Sequence, residues 1–118
     1  MSIPIKNLNY IHEITFGPAV EKMNKRIESM GPLKNLTEIS YEQLNAVMYS
    51  KNPIRVVKLR KDTYVIFDGN GRYWPLREYF GEKSEVKIEV EYYEVKNPLF
   101  RWSIENTLVE RGIDPDLL

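Results

Sequence analysis

Apolar residues along the chain recur at two different spacings, and the switches between them mark out the elements. Over residues 18–30, Val20, Met23, Ile27 and Met30 recur every three or four positions, which predicts a helix with one apolar face. Pro18 suits its first position, and Gly31-Pro32 supplies a stop. Ser40 and Gln43 have the spacing of a capping box, flanked by Ile39 and Leu44 at the positions of a hydrophobic staple. A second helix is therefore expected from Ser40, with Leu44, Val47 and Met48 inward, ending at Lys51-Asn52-Pro53.

The spacing then changes. Residues 54–59 and 64–67 are apolar runs separated by Arg60-Lys61-Asp62-Thr63, which reads as a β-hairpin whose turn lacks the usual glycine. Tyr64-Val65-Ile66-Phe67 is apolar at every position, as expected of a central strand covered on both faces. After Asp68-Gly69-Asn70-Gly71-Arg72 comes a short helix ending near Phe80-Gly81, starting near Arg72 because Pro75 must sit in the first turn. Val86, Ile88, Val90 and Tyr92 alternate with Lys87, Glu89 and Glu91, the pattern of a half-exposed strand. Asn97-Pro98 opens a final helix to about Arg111, with Phe100, Ile104 and Leu108 inward and Gly112 as its stop. Residues 1–15, with Ile3, Ile5, Ile11 and Ile14, fit either a short strand or an arm over the core. Helix, helix, hairpin, helix, strand, helix packs naturally as an α+β fold, a small mixed β-sheet surrounded by helices in a single domain over 1–118.

Composition narrows the chemistry. In 118 residues, 42% are apolar and 12% aromatic, enough for a core without staples. Lys and Arg number 17 and so do Asp and Glu, so there is no basic excess of the kind a nucleic-acid-wrapping protein shows; nucleic-acid binding is expected to be weak or absent. The absence of cysteine excludes disulfides, thiolate catalysis and cysteine-held metals, and a single histidine, His12, excludes a His-rich metal site, so no metal site is expected. There is no apolar run long enough to span a bilayer, and Met-Ser-Ile-Pro-Ile-Lys lacks the apolar core of a signal peptide. Cytoplasmic residence without membrane contact is the expectation.

The segment Asp68 to Arg72 is the best candidate for ligand chemistry. Two glycines allow positive φ and close backbone approach, and the helix start that follows offers free N–H groups and a positive dipole end. Arg72 adds a forked cation, and Asp68 can accept a hydroxyl proton or face a metal-bound phosphate. A plain turn explains the same dipeptides without a ligand. Neither a Walker A loop nor a dinucleotide fingerprint is present.

Residues 53–57 (Pro-Ile-Arg-Val-Val), then 63–72 (Thr-Tyr-Val-Ile-Phe-Asp-Gly-Asn-Gly-Arg), a helix and a charged alternating strand resemble the ParB/sulfiredoxin superfamily over about a third of the chain. Members share an apolar strand running into Asp-Gly-x-x-Arg or Gly-x-x-Arg and a helix. The resemblance implies a nucleotide ligand, ATP, ADP or CTP, held with Mg²⁺ by Gly69, Asn70, Gly71 and Arg72. The motif is closest to that of the archaeal free-serine kinases, which carry histidines where Asn70 and Gly71 stand and are about twice as long. From those kinases Glu13 takes the place of a catalytic carboxylate beside Asp68. Without cysteine, sulfiredoxin's sulfinic-acid repair is excluded, and the helix-turn-helix domain of ParB proteins has no counterpart here.

Other features carry two readings each. Lys51, Arg55, Lys58, Arg60 and Lys61 form a basic run without an acid between them, either a solvated sheet surface or a polyanion contact; residues 82–94, with five glutamates and two lysines, offset it. Tyr73 and Trp74 follow Arg72 and serve either the core or a stacked base. Three functional classes stand: a nucleotide-phosphate-binding domain that transfers or hydrolyses phosphate with Asp68 as base; a regulatory or protein-interaction module that retains the fold without the chemistry; and, behind these two, a nuclease-like or DNA-associated role that rests on analogy and the basic run. If Arg72 holds a phosphate, it is expected to stand exposed in the free protein.

Overall fold

The structure, a computed structural model, describes residues 1–10 and 17–94 together with Leu99, Trp102, Ser103 and Asn106. The expected final helix, and the positions His12 and Glu13, lie outside the described residues or are only touched by them.

Among the described residues, six strands and three helices follow one another as β1 (Ser2–Pro4), β2 (Leu8–Tyr10), α1 (Gly17–Glu28), β3 (Glu38–Ile39), α2 (Tyr41–Val47), β4 (Ile54–Arg60), β5 (Thr63–Asp68), α3 (Asn70–Phe80) and β6 (Lys87–Tyr93), with 3₁₀ turns at Ile5–Asn7 and Gly31–Leu33. The strands form one mixed sheet in the order β1-β6-β4-β5-β2, and β3 also pairs with β6. β4 and β5 are antiparallel, β2 with β5 and β4 with β6 parallel. A mixed α+β domain with helices on its sheet is thus observed.

The local signals explain most of these elements. Ser40 Oγ accepts from the Gln43 backbone N–H at 3.1 Å and Gln43 Oε1 from the Ser40 N–H at 2.9 Å, the reciprocal box expected at the start of α2. Ile39 and Leu44 are buried beside it. The glycine-free hairpin turn is made by Asp62, which adopts φ 58°, a left-handed conformation that Asp tolerates better than most residues. Residues 1–10 resolve as two short strands: β1 pairs with β6 and β2 with β5, burying Ile3, Ile5 and Leu8.

β5 lies between β4 and β2 with Val65 and Ile66 both wholly buried, as a central strand requires. Ile54, Val56, Ile66, Leu76, Ile88 and Val90 belong to the main core beneath the helices. Val57, Leu59 and Val65 are buried outside that cluster, on the opposite face of the sheet. Each such side chain contributes about 1.5–3 kcal/mol by leaving water. α1 packs against α3, and that contact positions the candidate site.

Candidate functional site

β5 ends at Asp68, and the chain turns sharply into α3 at Gly69. Gly69 adopts φ +104°, and a Cβ there would lie 3.0 Å from Ile54 Cγ1 and 3.1 Å from Ile54 Cα. Glycine is required here for both conformation and space. Gly71 differs from expectation. It lies within α3 without positive φ, because the helix begins at Asn70, two residues earlier than Pro75 suggested. What reads in sequence as a loop is a one-residue turn followed by the first turn of a helix.

The earlier start puts Pro75 inside the helix, where it has no N–H to offer the Gly71 carbonyl four residues back. That carbonyl accepts instead from Arg26 Nη1 of α1 at 2.7 Å. A guanidinium thereby stands at the N-terminal turn of α3, where the helix's own free N–H groups are already positive.

Arg72 is the second guanidinium, and it corrects the expectation of an exposed side chain. It is buried, with 4% of its surface exposed. Nη2 donates to the Asn52 carbonyl at the end of the α2–β4 loop, while Nη1 is buried without a hydrogen-bond partner. Burial pushes its pKa down, Tyr41 and Asp68 partly hold it up, and Arg26 pushes it further down. Burial also lowers the pKa of Arg26. Among the described residues no carboxylate comes within ion-pair distance of either arginine. Tyr41, whose hydroxyl faces the Ser50 and Lys51 carbonyls at 2.9 and 3.1 Å, braces the loop that Arg72 holds.

Asp68 acts on Arg72 from beyond ion-pair distance, while its ion pair is with Arg55. It lies opposite Arg55 in the β4–β5 register, with Arg55 Nε 3.8 Å from Asp68 Oδ2 and 3.6 Å from Glu91 Oε1. The Tyr93 ring lies 5.9 Å from the Arg55 guanidinium, and its hydroxyl donates to Glu91. Asp68, Gly69, Asn70, Gly71 and Arg72 thus share one sheet corner, while Glu13 lies outside the described residues. Asn70 Nδ2 donates to the Ile66 carbonyl at 3.4 Å, and its Oδ1 is buried without a partner.

Arg55 is engaged by two carboxylates, while Lys51, Lys58 and Lys61 are exposed. The aromatics after Arg72 serve packing: Tyr73 is buried with its hydroxyl on the Leu8 carbonyl at 3.1 Å, and Trp74 lies 4.4 Å from the Tyr10 ring. Arg26, Tyr41 and Asn52 escaped the sequence. The only signal for Arg26 was indirect, a proline four residues after Gly71.

No cluster of three or more His, Asp or Glu side chains able to hold a metal occurs among the described residues, and none of the three described helices is long and apolar enough to cross a membrane. No protein-family model matches the chain, and no curated protein matches it.

Proposed function

We propose that the chain is a ParB/sulfiredoxin-like domain that binds the phosphates of a nucleotide at the start of α3, between Arg26 and Arg72. The observation that carries this is Arg72 Nη1, a buried cationic donor without a partner, beside a second guanidinium and a helix N-terminus. Burying an uncompensated charge costs several kcal/mol after relaxation, roughly, and two like charges side by side add to it. A phosphate group supplies the missing counter-charge and acceptors to both arginines and to the Asn70 and Gly71 N–H groups. The passage from β5 through Asp68-Gly69 into a helix carrying Arg72 supports the superfamily assignment.

Mg²⁺ fits this site as an ion carried on the phosphates, with Asp68 as the described carboxylate beside them. It would neutralise phosphate charge, and Asp68 would orient it or accept a proton from an attacking hydroxyl. The engagement of Asp68 by Arg55 favours the second functional class, a binding module without turnover, because a carboxylate held by a cation is less available as a base.

Thermal unfolding of the full chain with ATP, ADP, CTP, GTP and pyrophosphate, each with and without Mg²⁺, tests the reading. A ligand at 100 times its Kd stabilises by ~2.7 kcal/mol. At least one of the five is expected to raise the melting temperature of the wild type and not that of Arg26→Ala. No shift with any of them ends the proposal. Product release in the same mixtures separates an enzyme from a binding module.

A further inference from the structure

We infer that the cleft between β2 and the second half of α3 is a separate binding site for a small dianion with an apolar or aromatic body. The cleft has a volume of about 250 Å³, just below the roughly 300–1,000 Å³ of drug-sized sites. That size suits a small metabolite better than a nucleotide or a peptide.

Its charge is one-sided. Lys6, Arg77 and Lys83 line it against a single lining carboxylate, Glu82, so three bases less one acid leave a net charge of two. Leu8, Tyr10 and Tyr73 supply its apolar lining. Arg77 is fixed before any ligand arrives. Its guanidinium lies 4.8 Å from the Trp74 ring centre and 5.4 Å from that of Tyr10, and Nη2 is 2.6 Å from Glu82. A cation held against two rings loses little freedom when an anion meets it.

The carboxylates now facing these cations are on the solvent side. The Glu82 side chain is 61% exposed, and Glu85, the partner of Lys6 at 3.0 Å, is 82% exposed. The Lys6–Glu85 pair, exposed at both ends, is weak, so an incoming dianion displaces Glu85 at small cost while Glu82 continues to hold Arg77. Lys83 is exposed and makes no ion pair with a described residue. Tyr73 already occupies the Leu8 carbonyl, which favours a small molecule over a strand added to β2. None of the lining residues belongs to the Arg26–Arg72 site.

The test is a titration of the ¹⁵N-labelled full chain with phenyl phosphate, phthalate and inorganic phosphate, followed by amide shifts of Leu8, Asn9 and Lys83. Phenyl phosphate or phthalate is expected to saturate these shifts, and the tighter of the two identifies a phosphomonoester or a dicarboxylate as the natural chemistry. Lys6→Ser with Lys83→Ser should weaken binding about tenfold or more. Lys58→Ser with Lys61→Ser, an equal charge change at the hairpin, should leave it unaltered, and so should Arg26→Ala. Absence of saturation up to ~10 mM, equal weakening in the hairpin variant, or loss of the shifts in Arg26→Ala would each overturn the proposal.

Discussion

Arg26 completes the helix that Pro75 interrupts. Its Nη1 reaches the Gly71 carbonyl across 45 positions of sequence, and that carbonyl is the acceptor Pro75 cannot use. Repairing the helix in this way also brings the guanidinium into the field of Arg72. A structural bond and a local positive potential therefore share one residue.

A double-mutant cycle measures that relationship. Arg26→Ala is expected to destabilise the wild type by about 1–2 kcal/mol, the range for a partly exposed charge-assisted bond. In a Pro75→Ala background the backbone N–H serves Gly71 itself, so the same substitution should cost less, with a coupling of roughly 0.5–1 kcal/mol. Strictly additive effects in urea unfolding would show that Arg26 and Pro75 act independently.

The two glycines should respond unequally. Gly69→Ala forces a side chain into positive φ and against the Ile54 backbone, with an expected cost of about 2 kcal/mol or more. Gly71→Ala meets only the movable end of Arg26, at 3.2 Å, and gains helix propensity of up to ~1 kcal/mol. Its net effect should lie within about ±1 kcal/mol. Equal losses at both positions would contradict the helix start at Asn70.

Without ligand, Arg72→Ala loses the charged bond to the Asn52 carbonyl, about 1.5–3 kcal/mol. It also sheds the cost of a buried unmet charge, so its net effect on stability should stay within about ±1 kcal/mol. Sulfate should then shift the gap in favour of the wild type, because only the wild type has a guanidinium to neutralise; sulfate's general effect on burial cancels in the difference. The sign follows from the lowered pKa. Below the folded-state value the guanidinium is charged in both states and its burial opposes folding, and that penalty fades only as pH rises through this value towards the unfolded one. At neutral pH an anion is the available remedy. A gap unchanged between chloride and sulfate would argue for a purely structural arginine.

Because β5 is covered on both faces, Ile66→Asp and Val65→Asp should each abolish cooperative unfolding, an unpaired charge in either layer costing several kcal/mol, roughly. Amide exchange at Val65 and Ile66 should be among the slowest in the chain. A folded Val65→Asp variant would show that the second face is open to water.

Local order was legible in the residues themselves. The capping box of Ser40 and Gln43, the staple of Ile39 and Leu44, the two-faced strand at Val65 and Ile66 and the alternation through Ile88 and Val90 all depend on neighbours a few positions away. Asp68-Gly69 also announced its turn, because glycine enters positive φ more readily than any other residue. Tertiary structure decided the rest. β1, β2 and β3 are two or three residues long, too short to show a period, and exist only because β5 and β6 offer them hydrogen-bonding partners. The start of α3 moved to Asn70 because Arg26, brought over on α1, satisfies a carbonyl that the local sequence leaves bare. Arg72 looked like a surface cation by residue type. Its burial, its bond to Asn52 and its unmet Nη1 arise from desolvation by chain segments distant in sequence, and such an environment is a property of the packed molecule.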